Sequence, residues 1–100
     1  MTDTRDDDAT GPLVRDIAIV NKRGLHARAS AKFVQCVERF DAEVSVSRGG
    51  ETVDGTSIMG LMALAAAPGT TITVAVRGRE AIDALEAIDA LVSNRFGEDE

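Results

Sequence analysis

The feature that most constrains the fold of this chain is a repeated switch between two apolar periods. Three segments carry apolar side chains at every second position, the pattern of half-buried strands. They are 15–20, 43–47 and 71–76. Three other segments carry them three and four positions apart, which is typical of amphipathic helices. They are 27–40, 57–66 and 81–92.

A hairpin is predicted after the second of these strands. Gly49 and Gly50 supply the positive φ of a tight turn, and the segment 51–54 returns as a further strand. The predicted order of elements is therefore βαββαβα. Strands joined by helices and one hairpin, each with a single apolar face, favour an α+β fold in which three helices cover one face of a mostly antiparallel four-stranded sheet.

The length and composition suit one domain. The chain has 100 residues, and its 44% hydrophobic content suffices for a single core. We expect a folded domain at 14–96, preceded by an acidic N-terminal tail at 1–13 and followed by an acidic C-terminal tail at 97–100. Both tails are expected to be disordered.

Charge is concentrated in those tails. They hold seven of the 17 acidic residues, so the rest of the chain is close to neutral although the formal net charge is −6. Within that part, Lys22, Arg23, Arg28 and Lys32 surround the only histidine, His26. This cluster is expected to give one end of the domain a positive field.

Composition disfavours several classes of protein. Aromatic residues make up 3% of the chain, with no Trp or Tyr, which disfavours base-stacking nucleic-acid modules. The longest apolar run, 61–67, is too short to span a bilayer, and the acidic opening segment does not resemble a signal peptide. One histidine and one cysteine, Cys36, do not make a metal-ligand set, and a single cysteine suits a reducing compartment. We expect a cytoplasmic monomer that uses no metal or cofactor and binds neither nucleic acid nor membrane.

His26 lies at the predicted start of a helix, directly after a glycine-containing loop. The first amides of a helix have no acceptor within it and the helix dipole is positive there, so the amides of Ala27, Arg28 and Ala29 form a candidate phosphate-binding site. The Arg28 guanidinium can pair with two phosphoryl oxygens at once. His26 is therefore a candidate phosphoryl acceptor, with Arg28 as its electrostatic stabiliser. For a lone histidine, a helix cap or an idle surface position is the alternative.

Two motifs carry a family resemblance. GLHAR at 24–28, followed by SAKFV, and VDGTSIMGLMALAA at 53–66 resemble HPr, the histidine phosphocarrier family of the bacterial phosphoenolpyruvate-dependent phosphotransferase system. The resemblance covers about residues 14–95, and two motifs in the right order and at the right separation make it specific. It implies an open-faced β-sandwich of the same βαββαβα order.

The resemblance also implies a chemistry and its partners. It implies that phosphorylated Enzyme I phosphorylates His26 on Nδ1, and that His26 passes the group to an acceptor of the Enzyme IIA type. Arg28 matches the family's phosphate-contacting arginine. The chain departs from the family at Ala29, where carbohydrate-branch members usually have proline. Because Ala29 and Ser30 resemble the nitrogen-related branch, a regulatory member that acts mainly through protein binding rather than sugar uptake is the alternative.

A second candidate site begins the helix predicted at 57–66. Ser57 is a residue type common at helix N-caps, and by resemblance it falls on the family's regulatory serine, the target of HPr kinase/phosphorylase. The helix has more apolar residues than one core-facing stripe needs, which leaves Ile58, Met59 and Met62 as a candidate partner-docking patch. Packing of all three into the core is the alternative.

Two rival classes of function stay open on the residues alone. A ligand-sensing regulatory module of ferredoxin-like topology would need a pocket and would not depend on His26. A purely protein-binding co-regulator acting through Ser57 could dispense with the histidine, whereas this chain has it two residues from Arg28.

Overall fold

The computed structural model describes residues 11–99, so most of the predicted N-terminal tail lies outside the described residues. Within this range four strands and three α-helices follow one another in the predicted order. The strands are β1 (Leu13–Ala18), β2 (Glu43–Arg48), β3 (Glu51–Asp54) and β4 (Thr71–Arg77). The helices are α1 (Ala27–Val37), α2 (Ile58–Ala63) and α3 (Ala81–Ser93), and a short 3-10 helix follows at Arg95–Gly97.

The strands form one antiparallel sheet in the order β1-β4-β2-β3. β4 lies between β1 and β2, with Ala18 opposite Thr71 on one side and Val46 opposite Val74 on the other. β2 and β3 form the predicted hairpin, whose turn residues Gly49 and Gly50 both have positive φ. The helices cover one face of this sheet, which confirms the predicted open-faced α+β sandwich.

One core joins the inward face of the sheet to the helices. Alternate side chains of β2 and β4 point into it, and α1 and α3 each contribute one stripe, as the two apolar periods predict. Its largest fully buried apolar side chains are Ile19, Phe33, Val37, Val46, Leu61, Ile72, Val74, Val76, Ile88, Val92 and Phe96.

Cys36 lies in the same core. Burial raises the pKa of its thiol, and the charge of Arg39 offsets only part of that rise. The thiolate is therefore disfavoured, and Cys36 acts as a small buried apolar side chain.

Three elements end earlier than the patterns predict. β1 ends at Ala18 rather than near Val20, because Ile19 already bonds to the loop before β4 through the amide of Gly69 and the carbonyl of Thr70. α1 ends at Val37 rather than Phe40, where the Phe40 amide turns back to the Val37 carbonyl. α2 ends at Ala63 rather than at 66, since Ala65 takes a left-handed conformation with φ of 53°. None of the described helices is long and apolar enough to cross a membrane.

Candidate functional site

The loop that leads into α1 is fixed to the segment that follows α2. Gly24 has a φ of +69°, and a Cβ added there would lie 2.4 Å from the carbonyl oxygen of Ala66. In the next residue, the Leu25 amide donates to the same Ala66 oxygen at 3.0 Å. Both the positive φ and the close backbone approach require glycine at position 24. The position of the histidine loop therefore depends on the segment that follows α2.

His26 is the N-cap residue of α1. Its backbone is extended, with φ of −74° and ψ of −179°, and its side chain makes no capping hydrogen bond. The first amide that donates into the helix is that of Ser30, 2.8 Å from the His26 carbonyl oxygen. The amides of Ala27, Arg28 and Ala29 come before this bond and have no acceptor within the helix. The predicted phosphate-binding amides thus lie together in the first turn, beside the histidine.

The His26 imidazole contacts Glu98. Its Nε2 lies 2.5 Å from Oε2 of the Glu98 carboxylate, and the two side chains are only 17% and 18% exposed. The second carboxylate oxygen, Oε1, accepts a hydrogen bond of 3.0 Å from the side-chain amide of Asn21. We expected a separate tail at 97–100, but Glu98 in this segment packs against the domain.

The chain reaches His26 by a sharp turn after α3. Arg95 and Phe96 are left-handed, with φ of 58° and 56°, which is unusual for residues other than glycine. Phe96 is 1% exposed, and its carbonyl oxygen accepts a hydrogen bond of 2.7 Å from Nζ of Lys32 on α1. Burial of this ring and the lysine bond offset the backbone strain and direct Glu98 towards the histidine.

Asn21 supports the contact from the other side. It is fully buried, and its Nδ2 donates both to the Gly24 carbonyl at 2.9 Å and to Glu98. Its Oδ1 has no hydrogen-bond partner among the described residues. Both donors of this side chain are therefore used to tie the histidine loop to the end of the chain.

Glu98 stays ionised more readily than an ordinary glutamate. Partial burial acts to raise its pKa, but the hydrogen bonds from Asn21 and His26, together with the charges of His26 and Arg23, outweigh this effect and lower the pKa. The carboxylate therefore remains an acceptor for the imidazole under all but acidic conditions.

The basic residues around His26 have two different environments. Lys22, Arg23 and Arg28 are exposed, and Arg28 makes no hydrogen bond or ion pair with any residue in 11–99. Lys32 is half-buried and donates to Phe96, so it holds the end of the chain. The sequence placed all four in one cluster, but the structure separates Lys32 from the exposed three.

Ser57 is the N-cap of α2. Its Oγ accepts a hydrogen bond of 2.9 Å from the Gly60 amide, the third residue of the helix. Just before it, Asp54 Oδ1 accepts from the amide and the hydroxyl of Thr56 at 2.8 and 2.7 Å. These bonds to Thr56, rather than burial, lower the pKa of Asp54. The hydroxyl of Ser57 is thus engaged by the helix that it begins.

The surface of α2 carries the three apolar residues that the sequence singled out. Ile58, Met59 and Met62 are 39%, 77% and 40% exposed, while Leu61 on the opposite side is fully buried. α2 packs against α1, whose first residue follows His26. The predicted docking patch therefore lies on a helix that contacts the helix following the histidine loop.

Nothing in the local sequence indicated that Asn21 and Glu98 belong to the site. Asn21 lies in a short polar loop, and Glu98 is one of three acidic residues at the chain end. Their contact joins positions 77 residues apart, and that of Glu98 with His26 joins positions 72 apart. Neither an apolar period nor a short motif can predict a contact between residues so far apart along the chain.

Comparisons with known proteins match most of the chain. A family described as the "PTS HPr component phosphorylation site" matches residues 13–94. The phosphocarrier protein HPr of Cupriavidus necator is 51% identical over 88 residues, which cover 88% of this chain and 99% of that protein. The phosphocarrier protein NPr of Shewanella violacea is 42% identical over 86% of this chain and 94% of its own length.

A solved structure shows the same likeness in three dimensions. The crystal structure of HPr-C-His from Thermoanaerobacter tengcongensis superposes with a TM-score of 0.84 at 34% sequence identity. The superposition covers 88% of this chain and 99% of that one. The likeness therefore extends through all four strands and the helices that cover them.

Proposed function

The chain belongs to the HPr family of phosphocarrier proteins of the phosphotransferase system, and from this premise we propose that His26 accepts a phosphoryl group from Enzyme I and passes it to an acceptor of the Enzyme IIA type. The observation that carries the proposal is the open start of α1. His26 lies at a helix N-terminus whose first amides have no acceptor in the helix, with an exposed arginine two positions on.

The transfer needs little machinery in this chain. The imidazole attacks the phosphorus atom of the phosphorylated donor, the bond to the donor's leaving atom breaks, and the reverse steps deliver the group to the acceptor. Negative charge spreads over the equatorial oxygens during both transfers. The Arg28 guanidinium and the amides of Ala27 to Ala29 are suited to stabilise that charge.

The partner proteins supply the rest of the geometry. Ile58, Met59 and Met62 form an exposed apolar patch on α2, and flexible methionine side chains suit a surface that must fit several partners in turn. Exposed Lys22 and Arg23 near the histidine favour approach of acidic partners. We propose that Enzyme I and the acceptor dock on this patch in turn, each with a single copy of this chain.

We also propose that Ser57 is a regulatory phosphorylation site for HPr kinase/phosphorylase. A phosphate at a helix N-terminus is tolerated by the helix dipole, and it adds about two negative charges beside Ile58. Docking of an acidic partner would then be weakened without any change at His26. Because the Ser57 hydroxyl bonds to the Gly60 amide, its phosphorylation must replace that bond.

A nitrogen-related regulatory role is the second candidate function. It is favoured by Ala29, which is fully buried in the first turn of α1 where carbohydrate-branch members usually have proline, and by the likeness to the NPr relative. The two roles differ in the acceptor. Incubation of the phosphorylated chain with a sugar-class and with a nitrogen-class Enzyme IIA, followed by the rate of loss of its phosphoryl group, separates them.

The central experiment is incubation with Enzyme I and phosphoenolpyruvate, comparing the wild type with His26→Ala. We expect one acid-labile phosphoryl addition by mass in the wild type and none in the variant. Ser57→Ala is the matched control and should be phosphorylated like the wild type. An acid-stable adduct, an adduct that persists in His26→Ala, or no adduct with a cognate Enzyme I would overturn the proposal.

A further inference from the structure

Glu98 lies where it can decide which imidazole nitrogen of His26 is free to react. A carboxylate only accepts hydrogen bonds, so a bond between Glu98 Oε2 and His26 Nε2 requires the proton on Nε2. A neutral imidazole carries one proton, which leaves the lone pair on Nδ1. The contact at 2.5 Å between two side chains that are less than one-fifth exposed therefore favours one tautomer.

The position of Glu98 is set by contacts that do not involve the histidine. Phe96 is buried, Lys32 donates to its carbonyl oxygen, and Asn21 donates to the other oxygen of the Glu98 carboxylate. Asn21 is fully buried with its own Oδ1 unpartnered among residues 11–99, so its orientation is determined by what its Nδ2 binds. Each of these contacts would hold the carboxylate in place if the imidazole turned away.

We propose that Glu98 is a positioning residue that holds His26 in the tautomer with the proton on Nε2 and thereby makes Nδ1 the nucleophile. This inference rests on the proposed function and adds a residue to it. The Nδ1 lone pair forms the bond to phosphorus, and the electron pair of the broken bond returns to the donor. No proton leaves His26, so the product ring is cationic and the Glu98 carboxylate lies beside that positive charge. The same contact serves the free and the phosphorylated state.

The direct test reads the tautomer without any phosphoryl transfer. Because the chain has one histidine, long-range ¹H–¹⁵N correlation spectra of the imidazole report on His26 alone. We would compare the wild type with Glu98→Ala and Glu98→Gln at about pH 8, where an ordinary imidazole is neutral. Asp99→Ala is the matched control, since it removes the adjacent, exposed carboxylate.

The expected result is a nearly pure Nε2–H tautomer in the wild type and in Asp99→Ala, and a mixture in both Glu98 variants. Phosphoryl uptake from Enzyme I should then fall on the order of tenfold at saturating donor in the Glu98 variants, with the half-saturating donor concentration unchanged. The amide spectrum outside 94–99 and the loop around His26 should stay as in the wild type. Two Glu98 variants are used so that misfolding of one does not decide the result.

Two outcomes would overturn the inference. One is an unchanged tautomer in the Glu98 variants, and the other is a mixed tautomer with unchanged uptake. Failure of the proposed function looks different, because then the wild type itself takes up no phosphoryl group. In that case the tautomer spectra still decide whether Glu98 orients the imidazole.

Discussion

The two helix N-termini near the functional surface differ in what their cap residues do. At α2, Ser57 Oγ accepts the Gly60 amide at 2.9 Å, so the side chain is used to complete the helix. At α1, the side chain of His26 gives no such bond and contacts Glu98 instead. One helix start is closed by its own residue, and the other leaves its first amides available.

The difference means that one N-terminus contributes to helix stability and the other is available for anion binding. A serine, threonine or aspartate at an N-cap stabilises a helix by about 1 kcal/mol relative to alanine, and α1 lacks that contribution. A capping side chain would bond to the amide at the second or third position of the helix, and these amides are among those that a phosphoryl group requires. The uncapped helix is thus the one suited to bind an anion, and the capped helix presents the apolar patch.

The largest expected effect comes from giving α1 a serine N-cap like that of α2. His26→Ser should abolish phosphoryl uptake and change the free energy of unfolding by no more than about 1 kcal/mol, because the gain from a serine cap on α1 opposes the loss of the contact with Glu98. Mass spectrometry after incubation with Enzyme I and urea unfolding give the two values. A phosphorylated His26→Ser protein would show that the open start of α1 is not the acceptor site.

The next largest effect tests the exposed arginine of α1. Arg28→Ala should lower the rate of phosphoryl uptake by roughly 100-fold, as expected for loss of one donor to a developing anion, and Arg28→Lys should recover only part of it. Arg79→Ala is the control. Arg79 is 87% exposed and follows β4 at the end of the sheet that is far from the histidine loop. Quench-flow measurement of the phosphorylated fraction gives the rates. Equal rates for the two alanine variants would exclude a role for Arg28.

A smaller effect is expected at the capped N-terminus of α2. Ser57→Ala should lower the free energy of unfolding by about 1 kcal/mol and leave phosphoryl uptake by His26 unchanged. Ser57→Asp keeps the cap but adds a charge beside the patch, so it should keep stability and weaken docking of Enzyme I several-fold. Urea unfolding and titration calorimetry measure these changes. If Ser57→Thr, which keeps the cap without a charge, weakened docking equally, charge would not be the cause.

The smallest effect is that of pH on the Glu98 contact. Because the pKa of Glu98 is lower in the folded chain than in the unfolded one, its contribution to stability is complete above the unfolded pKa and is lost as pH falls through the folded pKa. The contact should therefore persist at pH of about 4.3, where an ordinary glutamate is half protonated. The side-chain ¹³C shift of Glu98 measures this titration, with Asp99→Asn used to identify the signal. An ordinary midpoint for Glu98 would contradict the structure.

The sequence predicted those features of the site that depend on residues close together in the chain. An N-cap residue is followed at once by the periodic apolar positions of its helix, so the starts of α1 and α2 could be located from 24–28 and 53–66. The exposure of Ile58, Met59 and Met62 followed from counting too many apolar residues for one stripe. These predictions use interactions between residues a few positions apart.

The part that the sequence did not predict depends on long-range contacts and on unusual backbone angles. Left-handed φ at Arg95 and Phe96 has no signature in residue type, yet it directs Glu98 towards His26. Ala65 is a similar case, and it ends α2 before its apolar pattern ends. In each case burial of neighbouring side chains overrides local preference, and only the assembled core determines the result.

In the docking that we propose, Gly24 fixes the histidine loop relative to the surface that a partner binds. Its missing side chain lets the histidine loop lie against Ala66, beyond the end of the helix that carries Ile58, Met59 and Met62. In this proposal, a protein that binds those three side chains also places its phosphorylated or accepting group close to His26. Any bulkier residue at position 24 would tilt one surface against the other. Such a chain would still be recognised and would still carry an intact histidine, but recognition would no longer deliver the two reacting groups to each other.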